Sequence, residues 1–341
     1  MASGRSRNMT PDEKKDSGPV SHSNDSLFVS DFCLPFLRKS QNADGGWGFH
    51  PGSESRVEPT CWAIWALQAS GDTRVSAGIL DRGFQFLREA QLADGSWAAS
   101  PEMTTGCWVT SLACCVLTAD ASSHDAVAAG LKWLCDDWPR DSAPWRRLLA
   151  RFSSEHKISA QDDSLRGWGW TPRTSSWVEP TSFALLLLAR APRQAWPPGA
   201  EQRRELARRM LYDRMCPGGG WNCGNPMVYG VPGEPLIVPT VWALLALRDE
   251  PTRPEFVMSL DWLEKNVKDV RGAGSRALAR IGLEICGRKW TATGATFTDF
   301  YSRNEFLQSV PVAAWACLAL CRQREWLTAS VPERLPEYAK A

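Results

Sequence analysis

The sequence predicts an all-α protein, an α/α toroid in the form of an α6/α6 barrel of repeated outer and inner helix pairs. Three observations predict this fold. A tryptophan-ended skeleton repeats, amphipathic segments alternate with wholly apolar ones of helix length, and 18 Trp stand against 4 Tyr in 341 residues. An open solenoid is the structural alternative. The number of units and the apolar character of the inner segments favour closure.

The clearest copy of the repeat is Arg-Gly-x2-Phe-Leu-x3-Gln-x3-Gly-x-Trp, over residues 82–97. Related copies span 36–47 and 210–221, and Met215 stands in the last one where Gln is expected. Degenerate copies begin at Trp133 and Trp262. The interval from Trp97 to Trp168 is the longest, which predicts an insertion near residues 139–160.

Within each unit, an amphipathic helix precedes a buried one. Leu80, Phe84, Leu87 and Gln91 recur near helical spacing and predict an outer helix. A helix that is apolar on every side belongs in a buried layer. The apolar segments predicted as inner helices are 61–67, 107–117, 183–191, 242–247, 312–320 and, more weakly, 276–286.

Composition excludes several classes of protein. A net charge of +1 argues against a dedicated nucleic-acid binder. No apolar run approaches the ~20 residues that span a bilayer. Residues 1–27 are polar, lack the apolar core of a secretory signal and are interpreted as a disordered leader. We expect a single domain over residues 28–341. We also expect a cytoplasmic location, because the eleven cysteines include no CxxC pair and are interpreted as buried thiols in a reducing compartment.

The skeleton at residues 82–97 resembles the QW repeat of squalene–hopene and oxidosqualene cyclases. The Gly-Gly-Trp-Gly turn and the Pro-Thr helix starts are similar to those of protein prenyltransferase β subunits. Both families belong to one superfamily, and the resemblance covers about residues 28–322. It implies an α/α barrel whose reactive groups lie at inner-helix N-termini. These groups are an Asp-x-Asp-Asp-Thr acid in the cyclases, and a zinc-binding Asp-x-Cys with a His in the prenyltransferases.

This chain departs from both patterns. No Asp-x-Asp-Asp run is present, and the doublets at 136–137 and 162–163 do not precede an inner helix. Cys107 falls where the resemblance implies a zinc thiolate, but Thr105 replaces the Asp and no His opens another inner helix. We therefore expect no metal site and no cofactor.

Two glutamates stand at the inner-helix starts. Glu58 and Glu179 each precede a proline, Pro59 and Pro180, that we place at the first helical position. One interpretation is a carboxylate favoured by the helix dipole. The other is a catalytic acid, because an apolar cavity raises the pKa of a carboxyl group and keeps it protonated near neutral pH. Trp177 beside Glu179 favours Glu179 over Glu58.

Aromatic residues on the inner helices predict an apolar pocket. Its indole faces would stabilise a carbocation by cation–π attraction, although plain core packing is the alternative for any single ring. The candidate substrate-binding residues are Trp62, Trp65, Trp108, Trp177, Phe183, Trp242 and Trp315.

The first functional hypothesis is an atypical, metal-independent class II-like cyclase that acts on a linear isoprenoid. The second is a non-catalytic toroid that binds an isoprenoid, another apolar small molecule or a partner protein. The third is a prenyltransferase β-like subunit that needs a helical partner. Whether the protein is an enzyme is left open, as are a protein partner and peripheral membrane contact.

Overall fold

The structure is a computed structural model that describes residues 27–72, 77–136, 161–162, 164–291, 294–321 and 327. The predicted leader, apart from Leu27, and the predicted insertion lie outside these residues. After a π-helical turn at Val29–Cys33, the described elements are helical except for one hairpin. Its antiparallel strands are β1 (Met227–Val228) and β2 (Val231–Pro232).

Among the described residues, six helices form the inner layer, and most of their residues are buried. They are α2 (Val57–Ala69), α4 (Val109–Leu117), α6 (Val178–Arg190), α8 (Ile237–Ala246), α10 (Ala273–Ile285) and α12 (Val310–Leu320). Each overlaps one of the apolar segments predicted from the sequence, with ends that differ by one or two residues in four of them, so the predicted inner helices are confirmed.

The helices that precede them in each pair are amphipathic or largely polar. They are α1 (Leu34–Lys39), α3 (Ala77–Glu89), α5 (His124–Asp136), α7 (Ala200–Asp213), α9 (Pro254–Asn266) and α11 (Phe297–Asn304). Helix α3 packs against both α2 and α4, and α9 packs against both α8 and α10. An outer helix therefore bridges two inner ones where these contacts occur.

The inner helices pack in chain order: α2 on α4, α4 on α6, α6 on α8, α8 on α10 and α10 on α12. Helix α12 also packs against α2. The last inner helix thus contacts the first, an order consistent with an α/α toroid.

The repeated tryptophan ties each turn to its outer helix. Trp97 is fully buried, and its indole N–H donates to the carbonyl of Leu87 at 2.6 Å. The same bond recurs at 2.6–2.8 Å in three other copies: Trp47 to Leu37, Trp168 to Leu134 and Trp221 to Leu211. The copy at Trp133, degenerate in sequence, therefore keeps the bond through Leu134.

The repeated glutamine joins consecutive units. The side-chain amide of Gln91 donates to the carbonyls of Gly95, in its own turn, and of Ala126, in the next outer helix, each at 2.9 Å. Gln41 makes the same two bonds to Gly45 and Ile79. The repeated glutamine is thus a structural connection between units in these two copies.

One feature of the helix starts differs from the prediction. Pro59 and Pro180 occupy the third helical position, because α2 begins at Val57 and α6 at Val178. A proline is tolerated there since the first-turn N–H groups have no partner within the helix. Each glutamate therefore lies inside the first turn of its helix.

Candidate active site

On four of the described inner helices, a threonine near the helix start binds the backbone of the repeat tryptophan, so these threonines occupy equivalent positions. The hydroxyl of Thr60 accepts from the backbone N–H of Trp47 at 2.8 Å and donates back to its carbonyl. The same pair of bonds joins Thr110 to Trp97, Thr181 to Trp168 and Thr240 to Trp221. Counting back two residues from each threonine gives the first-turn position. It holds Glu58, Glu179 and Val238; on α4, which begins one residue later, the same count gives Trp108, the N-cap residue.

The starts of the inner helices gather at one end of the molecule. The backbone N–H of Trp108 donates to the carbonyl of Trp170 at 3.0 Å, and that of Val178 donates to Cys223 at 3.0 Å. The N–H of Val310 donates to Phe49 at 2.9 Å. Each bond joins a helix start to the turn that precedes another inner helix. Side chains of the first turns therefore share one face of the ring.

Glu179 carries a strongly perturbed carboxyl group. Burial and, to a smaller extent, the charge of Glu58 together raise its pKa to about 7. A large fraction of this side chain is therefore protonated at neutral pH.

Glu58 lies at the same end of the ring, on α2. Burial raises the pKa of its carboxyl group, and the indole N–H of Trp62 partly opposes that rise. The charge of Glu58 also acts on the buried thiols of Cys61 and Cys107, whose pKa values are raised mainly by burial. The charge of Glu58 therefore raises the pKa values of both Glu179 and Cys107, in each case less than burial does.

The aromatic candidates form a connected cluster. Phe183 lies one turn below Glu179, and its ring centroid is 4.6 Å from that of Trp242 and 5.2 Å from that of Trp108. Trp62 lies one turn below Glu58 and stacks on Trp242 at 5.5 Å. Trp62 also contacts the rings of Trp65, Phe183 and Trp315 at 5.4–6.1 Å.

This cluster forms a floor beneath the carboxyl groups. Trp62 and Trp242 come from α2 and α8, which are separated by two helices in the ring, yet their rings stack. Trp62, Phe183 and Trp242 are each no more than 2% exposed. Trp108 and Trp315 remain partly exposed, as does Trp177, which makes no ring contact with the cluster in the part of the chain described. Of these rings, Trp62 and Phe183 stand one helical turn after Glu58 and Glu179, and both pack against Trp242.

One aromatic residue of the site was not singled out from the sequence. Trp170 packs edge-on against Trp108 at 5.4 Å, and its carbonyl accepts from the N–H of Trp108, the N-cap residue of α4. The signal was the Trp168-Gly-Trp170 run, which places a second indole two residues after the structural one.

No three His, Cys, Asp or Glu side chains among the described residues are placed to hold a metal ion. Asp136 pairs with Lys132 on the exposed face of α5.

A cavity of about 410 Å³ lies beside the first two repeat turns, with Arg56, Phe86 and Met103 among its lining residues, and neither glutamate lines it. None of the described helices is long and apolar enough to cross a membrane.

Residues 29–108 match the family model of the squalene–hopene cyclase C-terminal domain. A drimenyl diphosphate synthase from Streptomyces showdoensis is 25% identical over 255 residues, which are 64% of this chain and 46% of that protein. The chain therefore spans about half the length of this curated relative.

Solved structures give the fold. The type II terpene cyclase MstE from Scytonema is 14% identical, with a TM-score of 0.52 over 89% of this chain and 81% of that one. A substituted form of MstE was solved with its substrate, geranylgeranyl dihydroxybenzoate, and gives a TM-score of 0.51 at 13% identity over 89% of this chain and 80% of that one. A protein from Actinoplanes is 14% identical, with a TM-score of 0.57 over 88% of this chain and 98% of that one. The resemblance predicted from the repeat is thus confirmed: residues 29–108 are similar to the squalene–hopene cyclase C-terminal domain, and the chain has the fold of type II terpene cyclases.

Proposed function

We propose that this protein is a metal-independent, class II-like isoprenoid cyclase built on an α/α toroid, with Glu179 as its proton donor. The observation that carries the proposal is a carboxyl group whose pKa is raised to about 7, one turn above a floor of aromatic rings. A general acid is most effective when its pKa lies near the working pH.

In the proposed reaction, the O–H of Glu179 gives its proton to a terminal alkene of a linear isoprenoid. The alkene π electrons form the new C–H bond and leave a cation on the more substituted carbon. The next double bond attacks that cation, which forms a ring C–C bond. Loss of a proton from the final cation gives the cyclic alkene, and the carboxylate of Glu179 takes a proton back.

The aromatic floor supports this chemistry in two ways. Within the aromatic cluster, Trp108 and Trp315 remain partly exposed, and their ring faces would attract a cation within about 6 Å of a ring centroid. The same rings keep water from the cation, which would otherwise be quenched as an alcohol. Hydrocarbon burial at about 25 cal/mol per Å² provides the binding energy for the chain.

The substrate class rests on the relatives. One is named for drimenyl diphosphate, and another was solved with an isoprenoid-substituted dihydroxybenzoate. Both names describe an isoprenoid chain joined to a polar head. We propose a substrate of that class, and the head group is decided by the assay below.

The assay incubates purified protein with farnesyl diphosphate, geranylgeranyl diphosphate or geranylgeranyl dihydroxybenzoate, with and without excess EDTA. Products are extracted, treated with phosphatase where needed, and analysed by gas chromatography with mass detection. We expect a cyclic product with the mass of its substrate, formed equally with and without chelator. Loss of product in EDTA would contradict metal independence, and no cyclic product from any of the three would contradict the proposal.

One observation favours a second function, isoprenoid binding without turnover. The chain lacks an Asp-x-Asp-Asp run, and Glu58 and Glu179 stand at the helix starts instead. Quenching of tryptophan fluorescence by these three compounds, without formation of a cyclic product, would establish this function.

A further inference from the structure

We propose that Glu305–Gln308 is a strained strap that closes the ring at its seam, where the last inner helix, α12, meets the first, α2. The strap opens locally while the rest of the protein stays folded. In the cyclase proposed above, the opened seam is the route by which the isoprenoid reaches the aromatic cluster, so this role of the strap rests on the proposed function. The opening itself is tested without any ligand.

The backbone of the strap is left-handed at four consecutive residues, none of which is glycine. The φ angles are +48° at Glu305 and +55° at Phe306, Leu307 and Gln308. Elsewhere in the described part of the chain, non-glycine residues with positive φ occur singly. A left-handed residue other than glycine makes a conformation roughly 5–30 times less populated. The strap therefore stores strain and persists only because its surroundings hold it.

Two of the contacts that hold the strap cross the seam. The ring of Phe306 is 4% exposed and packs edge-on against Phe28, with 6.0 Å between the centroids. Nδ1 of His50, in the turn before α2, lies 3.3 Å from the carbonyl oxygen of Gln308. The strained turn of the last unit is thus clamped by residues of the first unit and of the chain just before it.

The start of α12 lacks the attachment found on four other inner helices. Those helices are tied to a repeat turn by a buried threonine, but α12 contains no threonine. Its N-cap hydroxyl, from Ser309, accepts from the N–H of Val312 within the same helix at 3.4 Å. Leu307 is 69% exposed, so the middle of the strap moves without leaving a packed core. Strain next to a weakly attached helix start is typical of a segment that opens locally.

Opening of the strap uncovers a buried thiol and loosens one side of the aromatic cluster. Phe306 lines a small cavity together with Cys33, from the π-helical turn, and Ala313 of α12. Cys33 is 2% exposed, so withdrawal of Phe306 makes its thiol accessible to a reagent in water. The helix that follows the strap carries Trp315, whose ring lies 5.6 Å from that of Trp62. Displacement of the first turn of α12 therefore opens a way toward these rings.

Thiol labelling measures the opening. The folded protein is treated with N-ethylmaleimide without denaturant, and labelling of each cysteine is followed over time by peptide mass spectrometry. Cys114, fully buried on α4, reports unfolding of the ring, and the exposed Cys223 reports the reagent itself. We expect Cys33 to be labelled at least about tenfold faster than Cys114, because only the strap has to open. Equal rates at Cys33 and Cys114 would overturn local opening.

Leu307→Gly links the opening to the strain. Glycine adopts a left-handed conformation without steric cost, although it also gains freedom in the open strap. We expect Cys33 to be labelled about threefold more slowly in this variant, with unchanged rates at Cys114 and Cys223. Leu236→Gly is the matched control, because Leu236 is also an exposed leucine before an inner helix but has a φ of −117°. Equal Cys33 rates in the two variants would overturn the role of the strain.

Phe306→Leu tests the side chain that closes the cavity. Leucine remains apolar but loses the contacts between aromatic rings, so we expect Cys33 to be labelled about fivefold faster than in the parent. Circular dichroism and the Cys114 rate show that the variant is folded. A Cys33 rate equal to that of the parent would remove Phe306 from the closure.

Stopped-flow quenching of tryptophan fluorescence by geranylgeranyl dihydroxybenzoate tests the route. We expect quenching to be about threefold slower in Leu307→Gly than in Leu236→Gly, since fewer molecules have an open strap. Equal quenching rates in the two variants would overturn the seam as the route. Absence of quenching in the parent would refute isoprenoid binding, and with it the proposed function, while the labelling rates would still decide whether the strap opens.

Discussion

Thr110→Val tests the pair of hydrogen bonds between Thr110 and the backbone of Trp97, which holds the start of α4 against the repeat turn. Thr110 is fully buried, and its hydroxyl accepts from the backbone N–H of Trp97 at 2.9 Å. Valine has nearly the same shape, so the change opens no cavity. It removes the only hydrogen-bond partner described for a fully buried N–H.

The expected loss in the free energy of unfolding follows from the backbone N–H of Trp97 alone. A buried donor left without a partner costs about 1–3 kcal/mol, whereas the return bond to the Trp97 carbonyl, at 3.3 Å, is weaker. We expect a loss of about 2 kcal/mol in the free energy of unfolding. For a chain of this size, that is a fall of about 3–4 °C in thermal midpoint.

Urea unfolding followed by circular dichroism measures this loss, and two control variants show whether it comes from the buried hydroxyl group. Thr110→Ser keeps the hydroxyl and loses only a buried methyl group, at a cost of about 1 kcal/mol. Thr298→Val, on the exposed face of α11, should stay within about 0.5 kcal/mol of the unchanged protein. If Thr110→Val were as stable as Thr298→Val, the hydrogen bonds between Thr110 and Trp97 would contribute nothing to the free energy of unfolding. The recurrence of this threonine on four inner helices would then have no structural role.

Three further predictions concern the turns and the acid. Gly95 has φ +91°, and a Cβ there would lie 2.8 Å from the Ala129 carbonyl oxygen, so Gly95→Ala should cost about 1–3 kcal/mol in urea unfolding, while Gly218→Ala, in open space, should cost far less. Gln91→Met removes two bonds of 2.9 Å and should cost about 1–2 kcal/mol by thermal melting; a stability equal to the parent would show the amide to be dispensable. Because the folded-state pKa of Glu179 is raised from 4.5 to about 7, the carboxyl group contributes stability that is fully present below pH 4.5 and is lost as the pH rises to about 7. Glu179→Gln should therefore gain stability relative to the parent between about pH 4.5 and 7, by at most about 1.4 kcal/mol per pH unit, and a constant difference over this range would contradict the raised pKa.

The sequence predicted the helix pairs because each has a strong local signal. The segment 61–67 is apolar on every side and lies within α2, and 312–320 lies within α12. The weaker 276–286 segment also proved to be an inner helix, α10, although its arginines obscured the pattern. The helix starts were less accurate, since a proline is compatible with more than one position in a first turn.

The site was harder to predict because it depends on distances between helices. The sequence singled out Glu58 and Glu179 one at a time, as repeats of a helix-start motif. It could not show that the charge of one raises the pKa of the other. Likewise, the sequence indicated an aromatic lining, but the stacking of Trp62 on Trp242 depends on the packing of the whole ring. That the Trp62 N–H would act on Glu58 also depends on the side-chain geometry within one helix.

Turnover by Glu179→Gln tests the central claim most directly. The variant and wild type are compared with Glu205→Gln, which alters an exposed glutamate on α7, in the same cyclisation assay at pH 6. Gln fills the same volume but has no proton to give, and general acids contribute about 10²–10⁴-fold to rate. We expect Glu179→Gln to lose at least about 100-fold in product formation while Glu205→Gln keeps the wild-type rate. Equal product formation by Glu179→Gln and wild type would remove Glu179 from the mechanism and leave the proposed cyclase without its acid.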